Sequence, residues 1–143
     1  MSVARKSATQ TPGYSGKPLA AKLGLAAGQR VALRNAPPEY WELCAFDSSA
    51  VKSAGPRQAF DFGHVFVHTR ARLVSELAAL VPRLEKTGML WISWPKKSSG
   101  LATDLSEDVL RELALPLGIV DVKVCAVTAV WSGLKFVWRR ERR

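Results

Sequence analysis

Not one acidic residue occurs in the first 34 positions of this 143-residue sequence, and only two cysteines, Cys44 and Cys125, occur in all of it. The cysteines are isolated, with no CxxC spacing. That excludes the usual structural zinc patterns and leaves two buried free thiols as the expectation in a reducing compartment. No apolar run approaches the roughly 18 residues a membrane span requires. The N-terminus has no apolar signal core, so the expected location is cytoplasmic. The GxxxxGK[ST] phosphate loop is absent, and so are helix-turn-helix, zinc-finger and aromatic RNA-strand patterns.

What the sequence does have is positive charge at both ends. Of a net +9, the first 34 residues carry six cations (Arg5, Lys6, Lys17, Lys22, Arg30 and Arg34). The stretch KFVWRRERR at 135–143 sets five cations against Glu141, while 35–134 is nearly neutral. Basic ends of this kind are either solvated arms or contacts to the phosphates of a nucleic acid. Hydrophobic residues at 48% and charged residues at 23% are ordinary for a globular chain long enough to bury one core.

Residues 1–13 lack periodicity and read as a disordered basic leader. A single domain is expected over 14–139, with a basic tail at 140–143. Pro18 and Gly24 bracket a short helix, and RVALRN (30–35) reads as a first strand. APPEYWELCAF follows as a helix with Pro38 at its start and Glu39 in its first turn. Residues 47–60 read as a surface loop, and HVFVHT (64–69) as the second strand. RARLVSELAALVPRLEK reads as an amphipathic helix that Pro82 kinks or brings to its last turn. GMLWISWP (88–95) is apolar on both faces, as a central covered strand should be. DLSEDVLRELAL (104–115) is a second amphipathic helix, with Asp104 as N-cap, Glu107 three residues on, and Leu105, Val109 and Leu113 as its buried stripe. IVDVKVCAV alternates Val120, Val122 and Val124 against Asp121, Lys123 and Cys125. With a WSG turn and LKFVWR it predicts a closing antiparallel hairpin. The fold class expected is α/β: a small Rossmann-like three-layer sandwich of about five strands, mostly parallel with that hairpin at the end.

The segments LGLAAGQRVAL and LVPRLEKTGMLWISW, with the terminal hairpin, resemble a shortened class I methyltransferase over roughly 18–139. The resemblance implies a glycine-rich loop for S-adenosylmethionine after the first strand and an acid at the end of the second. This chain has RNAPPEYW at the first place and no acid at the second. It reads as omitting the second βα unit and the next, and no cofactor is expected of it. GYSGKPLAAKLGL, WPKKSSG, TDLSEDVLRE and DVKVCAV…WSGLKFV more closely resemble an uncharacterised bacterial family, domain-of-unknown-function family 3052, over nearly all the chain after residue 12. That resemblance implies a soluble Rossmann-like domain and carries no activity with it.

The candidate ligand site is the edge beyond Trp94 and Pro95, where open α/β sheets bind ligands. Lys96 and Lys97 supply charge, Ser98 and Ser99 supply hydroxyls, and Gly100 permits a tight backbone. Asn35, at the end of the first strand, should share that edge. The alternative is a solvated turn that merely caps the helix, since Asp104, Glu107 and Asp108 oppose an anion there. His64 and His68, about 13 Å apart if on one strand, cannot share a metal, and no metal is expected. Asp61 and His64 have the means to pair but lack a nucleophile in context. Trp41, Trp91, Trp94 and Trp138 read as core. Trp131, placed in a turn with Lys135 near it, is a candidate partner contact. The function expected is a non-catalytic binding or regulatory module for a small anion or a protein. The alternatives are a nucleic-acid-associated protein using the basic termini and a divergent methyltransferase-like enzyme.

Overall fold

A computed structural model describes residues 18–143. The leader expected over 1–13 lies outside them. Helix α1 (Leu19–Leu23) stops at Gly24, whose φ of 87° closes the last turn, as the sequence implies. Strand β1 (Arg30–Arg34) follows. Helix α2 (Tyr40–Cys44) is only five residues long and begins after both prolines, with Glu39 at its N-cap.

The stretch expected to be a loop hides strand β2 (Lys52–Ser53). Lys52 N–H bonds Gln29 O at 2.9 Å, and Ala54 N–H bonds Val31 O at 2.8 Å. Two residues are too few to leave a periodic trace. Strand β3 (Phe60–Phe66) starts four residues before the sequence pattern does, because Asp61 and Gly63 interrupt its apolar run. Helix α3 (Arg70–Leu80) is capped by Thr69, and Pro82 opens a single 3-10 turn after it. The expected helix continuation at Leu84–Lys86 is instead the start of β4 (Leu84–Pro95).

Helix α4 (Glu107–Ala114) starts three residues later than predicted. Its cap is Ser106, whose hydroxyl accepts from Val109 N–H at 3.3 Å. Asp104 instead accepts from Arg70 N–H at 2.7 Å, at the start of α3. The buried side of α4 is Leu110 and Ala114, with Val109 and Leu113 only half-buried beside them. Leu105 is buried, but lies ahead of the helix.

Strands β5 (Ile119–Ala126) and β6 (Trp131–Trp138) close the sheet. The hairpin turn is Thr128–Val130 rather than WSG. Thr128 Oγ1 accepts from the N–H of Val130 and of Trp131, so Trp131 is already in a strand. The six strands run in the order β2-β1-β3-β4-β6-β5. The first four are mutually parallel, and β6 is antiparallel to both β4 and β5. One sheet face packs on α3 and α4 through Leu73, Leu77, Leu110 and Phe136, among others. The other packs on α1 and α2 through Leu23, Tyr40, Phe62 and Trp91.

A bulge between Asp121 and Lys123 reverses the sense of the β5 alternation. Val122 and Val124 are 55% and 57% exposed, whereas Cys125 is buried. The bulge therefore turns Lys123 and Cys125 onto the α1 face, with Lys123 opposite Lys135 and Cys125 opposite Gly133. The basic tail is held to the body: Arg139 donates to Leu115 O, and Arg143 to Trp138 O.

Candidate functional site

The order of the sheet reverses between β1 and β3, and a crevice beyond their carboxyl ends is where such sheets take ligands. Here side chains bond to one another at the end of β1. Asn35, in the left-handed region at φ 59°, ends β1. Its amide donates to Phe66 O and to Glu76 Oε2 at 3.3 and 3.2 Å. Glu76, 3% exposed on α3, also accepts from Arg34 at 2.9 Å and from Arg72 at 3.3 Å. Burial pushes the Glu76 carboxyl up, but the bonds from Arg34, Asn35 and Arg72 together outweigh it and hold the group below its usual range. Arg72 also reaches Asn35 Oδ1 at 3.2 Å. Asn35 is thereby committed to this clamp and away from the lysine turn.

Of the predicted edge, Lys97–Ser99 form one 3-10 turn, and Gly100 closes it at φ 77°. The Ser99 hydroxyl donates back to Lys96 O at 2.6 Å and accepts from Leu101 N–H. Lys97 and Ser98 are exposed. Lys96 N–H bonds Val130 O at 2.7 Å, which ties the residue to the β5–β6 turn. Trp131 is half-buried and packs edge-on against Phe66 and His68, with ring centroids 5.0 and 5.2 Å away.

His64 does not pair with Asp61, which accepts from Arg30 N–H instead. His64 is fully buried, 2.8 Å from Tyr40 Oη on one ring nitrogen and 2.8 Å from Ser93 Oγ on the other, and it stacks on Phe66. Burial lowers its pKa to about 3, so the ring is neutral at ordinary pH. Burial pushes the Tyr40 hydroxyl above its ordinary value. Burial also raises the Cys44 thiol to about 12. Ser93 is fully buried, so Tyr40, His64 and Ser93 read as a satisfied core network. Among the described residues no three histidine, cysteine or acidic side chains form a metal-binding group.

The strongest concentration of charge was not legible as a site in the sequence. Lys123 and Lys135 stand opposite one another across β5 and β6, and like charges so placed repel. Lys123 Nζ donates to Lys22 O at 2.9 Å, which brings the end of α1 beside them. Burial and then Lys123 drive the half-buried Lys135 ammonium below its usual range. Burial raises the Cys125 thiol, opposed by the charges of Lys22, Lys123 and Lys96. The charges acting on these two groups are thus all lysines: Lys123 on both, and Lys22 and Lys96 on Cys125. The only partial signals were Lys96 and Lys135, each singled out for a different role. The bulge that brings Lys123 in is invisible to strict alternation.

A separate cavity of about 470 Å³ lies along the outer edge of β1, lined by Leu33, Arg34, Trp41, Lys52 and Arg83 among others.

No family model matches the chain, and no curated protein matches it. Solved structures do. The DhpI–SAH complex aligns with a TM-score of 0.60 at 10% identity, over 86% of this chain and 83% of that one. A type 11 methyltransferase from Sulfolobus solfataricus, described as putative, aligns at 0.54 and 13% identity, over 85% and 89%. LepI in complex with SAM aligns at 0.54 and 17% identity, over 85% of this chain but only 39% of LepI. The fold is that of S-adenosylmethionine-dependent methyltransferases. The likeness extends to the fold alone.

The residues present do not fit that cofactor. Where a glycine-rich loop is needed after β1, Ala36 carries a Cβ, while Pro37 and Pro38 carry no N–H to donate. Arg34 and Arg72 are both bonded to Glu76 beside that turn. The end of β2, at Ser53 and Ala54, has no carboxylate.

Proposed function

We propose that this chain is a non-catalytic binding module on a methyltransferase scaffold, and that it takes a small anion at the lysine cluster of β5 and β6. The supporting observation is the Lys123–Lys135 pair, opposed across two strands with the end of α1 beside it at Lys22 O. An oxyanion between the two ammonium groups turns their repulsion into attraction and favours the charged form of Lys135. The predicted edge lies apart from this pair: Lys96 follows Pro95, which pairs with Trp131, four residues along β6 from Lys135. The reading belongs with the uncharacterised family that the motifs resemble, and with a reducing cytoplasmic setting in which buried Cys44 and Cys125 stay free. Nuclear magnetic resonance titration with pyrophosphate tests it. The Lys135 amine should titrate at higher pH when the anion is present, and Lys123→Ser with Lys135→Ser should lower affinity at least tenfold. Unchanged affinity in that double variant would sink the reading.

A second reading, a divergent methyltransferase-like enzyme, is favoured by the shared fold with structures that hold SAM or SAH. S-adenosylmethionine co-purifying with the chain, or protecting it from thermal unfolding, would establish it. The third reading, phosphate contacts to nucleic acid through the basic ends, requires affinity that falls steeply with salt.

A further inference from the structure

Among the described residues the sheet stops short along the outer edge of β1. On its inner side β1 pairs with β3 as far as Arg34 opposite Val65. On the outer side, among the described residues, β2 partners only Arg30 and Val31. The ladder ends where Ala54 N–H meets Val31 O. The carbonyls of Gln29 and Val31 accept from Lys52 and Ala54, so the next residue of that parity, Leu33, turns its N–H and C=O outward beyond the end of β2. Leu33 lines the 470 Å³ cavity there. Leu33, Trp41 and Val51 pack against the core on the α1 and α2 face, and Arg83 also lines the slot. Arg83 is fixed in place by its bonds to Gln58 O and Gly55 O. The charged residues in the lining are Arg34, Lys52 and Arg83, with no carboxylate among them. Arg34 is already partnered by Glu76, and Lys52 is exposed.

We infer that this slot docks an extended acidic peptide segment of a partner protein, added to the sheet as a strand beside Leu33. Main-chain bonds to Leu33 would supply the register, Trp41 an apolar wall, and Lys52 the preference for acidic side chains. The site is distinct from the lysine cluster, and the inference stands without it.

The test is an amide-resolved titration of the full chain with a capped octapeptide of alternating valine and glutamate, beside a twin N-methylated at every residue. The peptide should shift the Leu33 and Arg34 amides and the Trp41 indole, and the twin, which has no N–H to donate, should bind at least tenfold more weakly. Lys52→Glu should weaken the peptide about tenfold, while Lys123→Ser with Lys135→Ser should leave its affinity unchanged. No shift at Leu33 at millimolar peptide, equal binding by the twin, or shifts confined to the Lys123–Lys135 face would each overturn the inference.

Discussion

His64 is the residue whose environment makes the sharpest demand on the rest of the protein. It is folded neutral, with a pKa lowered by burial to about 3 from an ordinary 6.5. The unfolded chain therefore binds a proton between those values that the folded chain does not. Stability should be full above about pH 6.5 and fall as pH drops toward 3, by roughly 1.4 kcal/mol per pH unit. Urea unfolding from pH 7 to pH 4 reads this slope, and His64→Gln should flatten it. Ser93→Ala and Tyr40→Phe each leave one ring nitrogen without its partner, at a cost of about 1–3 kcal/mol. A cost near zero for both would mean the network contributes nothing. The sequence offered Asp61 as a candidate partner for His64, and that pairing does not form. Asp61 is three positions away and conspicuous, whereas Tyr40 and Ser93 reach it only through the crossing of α2 over β3 and β4.

Among the elements, the two capping acceptors before α4 act on different helices. Ser106 caps α4 and Asp104 caps α3. Ser106→Ala should cost about 1 kcal/mol and speed amide exchange in the first turn of α4. Asp104→Ala should instead speed exchange at Arg70 and spare α4. The capping pattern TDLSED holds both signals, and only the fold separates them, because Asp104 meets Arg70 across 34 residues. Strand β5 teaches the same lesson. Its alternation was legible, but the bulge after Asp121 decided which face meets the body. Val122→Thr with Val124→Thr should change stability by less than about 0.5 kcal/mol, since both side chains face outward. A loss of several kcal/mol would refute the register. The long helix, the central strand and the hairpin were readable because each sustains its period over eight or more residues. Strand β2, with two residues, was not.

Over the whole molecule, the order of strands and helices was legible, as was the break with the cofactor loop at RNAPPEYW. The clamp around Glu76 was not, since Arg34, Asn35, Arg72 and Glu76 come from elements about forty residues apart. The predicted anion edge divides in the structure. Lys96 is half-buried and its charge reaches Cys125, whereas Lys97 stands exposed on the turn. Lys96→Ala and Lys97→Ala should each leave pyrophosphate binding at the Lys123–Lys135 pair nearly unchanged, as isothermal calorimetry of the two variants would record. The most direct test of an anion-binding module on a methyltransferase scaffold is thermal unfolding of the full chain with pyrophosphate and, separately, with S-adenosylmethionine. The account predicts that pyrophosphate raises Tm at low salt, that Lys123→Ser with Lys135→Ser abolishes the rise, and that S-adenosylmethionine has no effect. A rise with S-adenosylmethionine alone, or a pyrophosphate effect undiminished in the double variant, would contradict it.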